Sequence, residues 1–537
     1  MVGAGSGMAG VSTAARDRTG LGRVARGGAL NMAGAAGGAL LNLGLVVAIT
    51  RGFSPDTAGV LFAATSVFLI GSAVAGLGTP SGLVYFLSRM QARGTGHAAA
   101  RVLRTALGPA VAASLGAAAA MAVLADDLAG LIGEPDAATY LRLLAVFLPF
   151  AVVTEAALAA TRAYHVMRAG VLLDKLGRPL GQLALVCTAA ATGSAGLLAV
   201  AWAGPYLPAA VLAWWWMRRV VGAHRPEAPP GPAVLPVSPG SPGTAGAGEP
   251  SDGAGEQVSP RAFWAFSLPR SAAGIAQLGI QRAGVVFTAA LAGAAEAAVF
   301  TAASRFPVVG QFAAQALQFA AEPRLAELLA AGDRRGASTL FRASTAWLIC
   351  LTWPLFLPAM VYAPLLMELF GPDYAAGSRA LVVVCLAQLL ASGLGMGDLV
   401  LTMTGRTRSN LVNNLLALAA DVALCLLLVP AAGASGAAAA WAGAIAVRKS
   451  LPLVQLVRSP GIHPFDRRWA LATGSCLVWF GAVPALSAAA LGTGPGSLAA
   501  ALAAGSAGFA ATLWLLRGPL ELDLLLRRGG APVGAAG

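Results

Sequence analysis

Long apolar stretches separated by short polar gaps run through almost the whole chain. Most of them approach the roughly 20 residues that an α-helix needs to cross the hydrocarbon core of a bilayer. Because backbone polar groups in lipid must be hydrogen-bonded internally, such stretches predict helices. The pattern predicts an all-α polytopic membrane protein with about fourteen transmembrane helices. The predicted spans are 29–50, 57–79, 105–125, 141–161, 179–193, 196–217, 263–292, 297–320, 343–366, 379–403, 410–430, 435–457, 469–490 and 497–516.

The basic residues fall in every second gap between these stretches. Eight clusters hold most of the 36 Lys and Arg residues, whereas the gaps between them are poor in both, and the gap that contains Asp126, Asp127, Glu134 and Asp136 is acidic. Lys and Arg are retained on the cytoplasmic side of short loops. Each pair of successive clusters is therefore joined by one outgoing and one returning helix. This predicts a multi-pass protein of the cytoplasmic membrane with both termini in the cytoplasm.

Composition argues against several other classes of protein. The chain is 57% hydrophobic and 11% charged, whereas about 25% of residues in soluble domains are charged. Its net charge of +13 is dispersed over predicted cytoplasmic loops, which favours orientation and attraction to anionic lipid over nucleic-acid binding. The five cysteines lie in apolar stretches without zinc-site spacing. With no phosphate-binding glycine loop or catalytic constellation in the sequence, we predict neither an enzyme nor a cofactor or metal site.

A segment rich in Pro, Gly and Ser at residues 225–260 divides the chain after six predicted helices. This composition is typical of a flexible linker. The predicted organisation is a disordered cytoplasmic tail (1–28), an N-terminal six-helix lobe (29–219), a disordered cytoplasmic linker (220–261), a C-terminal six-helix lobe (262–458), two additional transmembrane helices (459–517) and a cytoplasmic tail (518–537).

The two sides of the linker are weakly alike. Residues 61–67 (LFAATSV) and residues 300–306 (FTAASRF) stand near the start of the second and the eighth predicted spans. Each segment follows a short outside turn with one acid, Asp56 or Glu296. An even number of helices per repeat keeps both halves in the same orientation, related by an axis along the membrane normal, as in some transporters. An unrepeated bundle is the alternative.

Several short segments occur in a characteristic order along residues 29–457. They are residues 58–65, 305–312, 322–328 with Gly332 and Asp333, 369–374, 405–407, and Pro430 followed by 433–438. In these segments the chain resembles the polysaccharide and lipid-linked-oligosaccharide flippases of the multidrug/oligosaccharidyl-lipid/polysaccharide exporter superfamily. The resemblance implies two six-helix lobes around a central cavity, two extra C-terminal helices, and rocking between inward-open and outward-open states. It also implies membrane lipid and a lipid-linked glycan as ligands, and glycosyltransferases or the polymerase of the same pathway as partners.

Ionisable groups inside the predicted spans are the first candidates for function, because a charge in the bilayer is costly and usually faces a cavity or a partner. These groups are Glu155, Arg282, Arg305, Asp398 and Asp421. By contrast, Asp174, Lys175 and Arg178 are predicted to be charges of a cytoplasmic loop.

Glutamines add a second polar signal in the same lobe as the two arginines. Gln277 and Gln281 are four residues apart and so share one helix face, with Arg282 beside it. Gln311 and Gln315 repeat this spacing on the next predicted helix. Asn413 and Asn414 are further polar residues within a span. The pattern predicts a wet inner wall in the second lobe and makes the four glutamines candidates for substrate binding.

Two hypotheses compete for the arginines. In the first, Arg282 and Arg305 hold a phosphate or pyrophosphate of a lipid carrier, because a guanidinium suits bidentate phosphate recognition. In the second, each pairs with one of the intramembrane acids and so lowers the cost of its burial. The acids Glu155, Asp398 and Asp421 are candidates for proton or Na⁺ coupling. Asp398 and Asp421 are also near enough to predicted helix ends to be snorkelling or capping groups.

The sequence therefore predicts a flippase or exporter that moves a lipid-linked oligosaccharide or polysaccharide precursor across the cytoplasmic membrane by alternating access. A drug/cation antiporter of the same superfamily is one alternative, although acids deep in the first lobe are then expected and Glu155 is the main one there. A non-transporting scaffold of cell-envelope polysaccharide synthesis is another.

Overall fold

The computed structural model describes residues 33–92, 99–223, 259–404, 406–458 and 462–518, and within these ranges the chain is helical without any strand. The predicted tails at 1–28 and 518–537 lie almost wholly outside the described residues, as does most of the predicted linker. The helices are α1 (Ala33–Gly52), α2 (Pro55–Ala75), α3 (Thr79–Ala92), α4 (Ala99–Val123), α5 (Ala125–Ile132), α6 (Asp136–Ala163), α7 (Arg178–Ala191), α8 (Leu198–Ala203), α9 (Tyr206–Ala223), α10 (Pro260–Ala292), α11 (Ala294–Ala303), α12 (Pro307–Ala330), α13 (Arg334–Val361), α14 (Ala363–Met367), α15 (Ser378–Gly393), α16 (Gly397–Met403), α17 (Thr407–Arg458), α18 (Arg467–Cys476), α19 (Val483–Leu491) and α20 (Pro495–Leu515). A π-helical segment (Gly170–Gly177) precedes α7 and another (Leu477–Ala482) joins α18 to α19, and short 3₁₀ segments span Ala195–Leu197, Glu368–Phe370 and Pro372–Gly377.

Eleven of the described helices are long and apolar enough to cross a membrane, so the multi-pass architecture is confirmed but the count of fourteen is not. The fifth predicted span (179–193) coincides with α7, which is only 14 residues long and is extended at its start by the π-helical segment. The eighth is divided between α11 and α12. The eleventh and twelfth form the two legs of α17, which meet at Gly433, where φ is +51° and ψ is −129°.

We call the helices before the predicted linker (α1 to α9) the first lobe, and α10 to α17 the second lobe. The lobes meet along α2, which packs against α10 and α11. At this contact Gly59 lies directly on the backbone of Ala294, so closely that an added Cβ would overlap the carbonyl of that residue. The two segments that are alike in sequence, 61–67 on α2 and 300–306 at the end of α11, thus lie on the two helices that join the lobes.

Two polar contacts connect helices at the end of the bundle that is predicted to face outside the cell. The guanidinium of Arg51, at the end of α1, donates across the lobe boundary to the carbonyls of Leu369 (2.8 Å) and Glu368 (3.1 Å). Within the second lobe, the carboxylate of Glu296 accepts a hydrogen bond of 2.7 Å from the N–H of Ala434, at the start of the second leg of α17. A carboxylate at this position satisfies a backbone donor that the helix itself leaves free.

The outer surface of the bundle is apolar. Large side chains such as Leu115, Leu427 and Trp514 are 57%, 71% and 66% exposed, which is expected where lipid, not water, surrounds the protein. Helices α18 and α19 pack against α13, and α20 packs against α19. Tyr362 and Ser497 hydrogen-bond at 2.7 Å, and the indole N–H of Trp469 donates to the carbonyl of Gly393 at 2.9 Å.

Candidate functional site

The two intramembrane arginines lie in the same cavity at the boundary between the lobes. Arg282 of α10 and Arg305 both line a small cavity of about 60 Å³. The other walls come from α1, α2, α8 and α11, and include the polar side chains of Asn42, Thr65, Ser66 and Thr301. The structure therefore brings together two guanidinium groups that are 23 residues apart in sequence.

A break in the helix positions Arg305. Helix α11 ends at Ala303 and α12 begins at Pro307, where a missing N–H costs nothing because the first helical N–H groups have no partner within the helix. In the turn between them, Nε of Arg305 donates to the carbonyl of Thr301 at 3.1 Å, and a terminal nitrogen lies 3.3 Å from Oγ of Ser304. These contacts fix the guanidinium on the backbone of its own turn and direct it to the cavity. In the weakly repeated alignment, Ser66 of the first lobe occupies the corresponding position.

Neither arginine forms an ion pair with an acid in the described parts of the chain. The buried Nε of Arg282 has no hydrogen-bond partner there. The three acids proposed as partners lie elsewhere: Asp398 pairs with Lys449, Glu155 faces a cavity of the first lobe, and Asp421 is buried on α17. In this structure the arginines are therefore not paired with these acids.

A larger cavity of about 270 Å³ opens inside the second lobe, between α10, α12, α13, α15, α16 and α17. All four predicted glutamines, Gln277, Gln281, Gln311 and Gln315, line it. The spacing of four residues explains this placement, since it puts each pair on one face of its helix. Gln318 and Gln388 extend the amide lining, and Thr352 and Ser392 add hydroxyl groups. Because an amide side chain both donates and accepts, this wall can hydrogen-bond to a neutral hydroxylated group without introducing a charge.

An ion pair and a further cation stand at one end of this cavity. Nζ of Lys449 lies 3.2 Å from a carboxylate oxygen of Asp398, and Arg448 lines the cavity beside them. The carboxylate of Asp398 is thus paired. Arg448 and Lys449 lie inside the predicted span 435–457 and within α17. They are missing from the predicted intramembrane charges because they were counted among the basic residues that orient the chain.

The first lobe contains its own polar cavity, of about 300 Å³, lined by Glu155, Arg162, Asp174 and Tyr206 among others. Glu155 is exposed to this space. Arg178 bonds Asp174 at 3.1 Å and lies 4.9 Å over the ring of Tyr206. The prediction that Asp174 and Arg178 are loop charges is therefore wrong: they stand on the π-helical segment and α7, inside the lobe, because the fifth span begins earlier than its apolar run.

Two remaining polar candidates are internal to α17. Asn413 and Gln455 exchange two hydrogen bonds, at 3.1 and 3.0 Å, which hold the two legs of this helix together. Asp421 is fully buried and neither carboxylate oxygen has a partner among the described residues. The structure thus keeps Asn413 and Asp421 apart from the glutamine-lined cavity, whose lining residues include neither.

Comparison with known proteins identifies the class of this fold. Residues 269–427 match the MatE family model. The structure superposes on a lipid II flippase MurJ in an inward closed conformation with a TM-score of 0.67 at 10% identity, covering 92% of this chain and 99% of that chain. It also superposes on an inward-facing multidrug resistance MATE family transporter of the MOP superfamily, with a TM-score of 0.57 at 15% identity and coverage of 81% and 96%. No curated protein matches the sequence.

The chain therefore has the fold of the multi-pass membrane transporters of the multidrug/oligosaccharidyl-lipid/polysaccharide exporter superfamily, and the resemblance seen in its sequence is confirmed. The MatE match covers α10 to the first leg of α17, the part of the chain that carries both arginines and the four glutamines.

Proposed function

We propose that the protein is a flippase that translocates a lipid-linked oligosaccharide or polysaccharide precursor across the cytoplasmic membrane by alternating access. The observation that carries this proposal is the pair Arg282 and Arg305, which share one cavity at the lobe boundary with no acid partner among the described residues. A guanidinium presents planar donors that match a phosphate, and two of them suit a diphosphate. The superposition on a lipid II flippase supports the same class of substrate.

The adjoining cavity of the second lobe suits the rest of such a head group. Its amide and hydroxyl lining can replace the water that surrounds sugar hydroxyls, which lowers the barrier to entry of a glycan into the membrane. The lipid tail would remain in the bilayer. We infer that the arginines hold the phosphate and the glutamines hold the adjacent sugar.

The size of the arginine cavity implies that the lobes must separate for binding. About 60 Å³ holds a few water molecules, and a diphosphate needs more room. The contact of α2 with α11 closes this cavity on one side. Movement of the first lobe relative to the second would enlarge the cavity, which is the motion that alternating access requires.

Flipping of a fluorescent polyprenyl-diphosphate-linked sugar in reconstituted vesicles tests the proposal. Arg282→Lys and Arg305→Lys keep the charge but lose the planar fork, so we expect slower flipping at normal protein level, and a further loss in the Gln variants. Arg142→Gln, which removes an exposed arginine paired with Asp126, is the matched control. Normal insertion together with normal flipping in the Arg282→Gln/Arg305→Gln double variant would refute the phosphate site.

A drug/cation antiporter is the second candidate, and Glu155 favours it. This carboxylate is exposed to a polar cavity of about 300 Å³ in the first lobe, where it could exchange a proton for an organic cation. In proton-driven efflux of ethidium from vesicles, Glu155→Gln should then abolish transport, whereas Arg282→Gln should leave it intact. The flippase predicts the opposite dependence, so the two variants separate the two functions.

A further inference from the structure

A groove on the outside of the first lobe lies apart from every cavity described above. It runs between α4 and α9, both of which pack against α6, and has a volume of about 550 Å³. Leu103, Leu107 and Met217 form its apolar lining, and Trp214 stands at its edge, 39% exposed. The proposed transport path does not use this groove, because neither the paired arginines nor the glutamine-lined cavity borders it.

The charge that lines the groove comes from two arginines. Arg104, in the second turn of α4, and Arg218, near the end of α9, both line it, and no carboxylate does. Arg104 donates weakly to the carbonyl of Ala100 on its own helix, at 3.4 Å, and Arg218 forms no ion pair within the described residues. Two exposed guanidinium groups therefore line the same groove, and no carboxylate among the described residues pairs with either of them.

The depth of the two arginines in the membrane follows from their neighbours. Trp214, Trp215 and Trp216 precede Arg218 on α9 by four, three and two residues, and tryptophans concentrate where hydrocarbon meets the head groups. The side of the bundle on which the basic clusters collect is the predicted cytoplasmic side. Leu107 and Trp214 lie three and four residues from Arg104 and Arg218, which places them roughly 4.5–6 Å closer to the bilayer centre. The two arginines are thus at head-group depth, and the deeper apolar part of the groove is within the hydrocarbon.

We propose that this groove is a binding site for an anionic phospholipid of the cytoplasmic leaflet. Arg104 and Arg218 hold the phosphate of its head group, and one acyl chain lies along the apolar wall between α4 and α9. Basic pockets between transmembrane helices at the cytoplasmic surface bind acidic lipid head groups in this way. A zwitterionic lipid carries the same phosphate but also a cation, which the two arginines repel, so the site selects for net negative charge.

Glycines provide a variant that blocks the acyl chain without touching the arginines. Gly108 lines the groove one turn deeper than Arg104, and nothing lies within 4 Å of the Cβ that a larger residue would add. The side chain of a leucine at this position can therefore extend from an unobstructed Cβ into the groove. Gly116, two turns further along the same helix, is equally open and outside the groove. Gly116→Leu is the matched control.

Native mass spectrometry of the purified full-length protein, titrated with phosphatidylglycerol or with phosphatidylcholine of the same acyl chains, tests the proposal. We expect one phosphatidylglycerol to bind at least tenfold more tightly than phosphatidylcholine. Arg104→Gln/Arg218→Gln should lower the phosphatidylglycerol affinity by roughly tenfold or more, the size expected for two basic residues at an anionic surface. Arg334→Gln/Arg335→Gln, which removes two exposed arginines from the start of α13, should leave it unchanged.

Gly108→Leu should weaken phosphatidylglycerol binding as strongly as the loss of both arginines, whereas Gly116→Leu should have no effect. This arm also keeps the test decisive if the arginine variant fails to fold. If Arg104→Gln/Arg218→Gln and Arg334→Gln/Arg335→Gln lower the phosphatidylglycerol affinity equally, the lipid is attracted by the overall positive charge, and the proposed site is wrong. Unchanged binding in Gly108→Leu would show that no acyl chain occupies the groove, and would overturn the proposal equally.

Discussion

The contact between α2 and α11 predicts that a single methyl group at Gly59 opens the boundary between the lobes. A Cβ at this position would overlap the carbonyl of Ala294 and lie 2.9 Å from its Cα. Because the obstructing atoms belong to the backbone, no rotation of a side chain can relieve the overlap. In Gly59→Ala the two helices must separate, and the state in which they touch becomes less favourable than states in which the lobes are apart.

Overpacking of a well-packed site costs about 1–3 kcal/mol. If this cost falls on the closed state alone, its population relative to an open state falls by a factor of about 5 to about 150. Thr301 reports this change because it lines the arginine cavity and is buried, with 3% of its surface exposed. The assay uses Thr301→Cys in a background without the native cysteines and an impermeant thiol reagent added outside. The cysteine should react faster when Gly59→Ala is also present than when it is absent, by about the same factor.

Gly116→Ala provides the matched control, since a Cβ there meets nothing within 4 Å. Both alanine variants should insert normally. If Gly59→Ala lowers the melting temperature in detergent but Thr301→Cys reacts no faster than in the control, the methyl group has destabilised the fold as a whole. The reasoning that treats this contact as a closure between two lobes would then be refuted.

Further variants test other parts of the structure. Lys449→Met leaves Asp398 without its partner, so we expect a loss of about 1–3 kcal/mol in the free energy of unfolding, measured as a lower melting temperature. Adding Asp398→Asn should restore stability, and equal instability of the double variant would contradict a pairwise role. For topology, cysteine at the exposed Thr493 should label from outside intact cells and cysteine at Ala331 should not, and the reverse pattern would overturn the positive-inside assignment. Deletion of residues 231–252 should leave insertion and transport near normal, because a Pro/Gly/Ser-rich segment has little apolar surface to bury; loss of expression would argue for a structural role.

The gross architecture could be predicted because hydropathy and loop charge are properties of local sequence. Breaks within helices were harder to foresee. The turn at residues 304–306 is flanked by apolar segments that keep the mean hydropathy high across it. Likewise α15 and α16 are separated at Gly395, where φ is +75°, although the run of apolar residues continues. Such breaks depend on backbone geometry and packing, which leave little trace in composition.

The candidate site, too, could be predicted from the sequence only in part. The spacing of Gln277 with Gln281, and of Gln311 with Gln315, predicts two polar helix faces. Only the packing of α10 against α17, and of α12 against α13, α15 and α16, brings them to one cavity. Gln318, three residues after Gln315, lies on the same helix face and lines the cavity as well. The pairing of Lys449 with Asp398 joins residues 51 positions apart, and no sequence period connects them. The predicted span 435–457 contains Lys449, but the positive-inside rule uses its charge only for orientation and gives it no partner.

The bond from Arg51 has a consequence for how this protein tolerates change over evolutionary time. Its guanidinium contacts main-chain oxygens of residues 368 and 369, which every amino acid supplies. Substitutions at these two positions can therefore accumulate without weakening the link, provided that the local 3₁₀ turn persists. Methods that find contacts from correlated substitutions between positions would not detect this bond, although it joins parts of the chain more than 300 residues apart. This contact between the two lobes therefore depends on one specific side chain in the first lobe and only on the backbone conformation in the second.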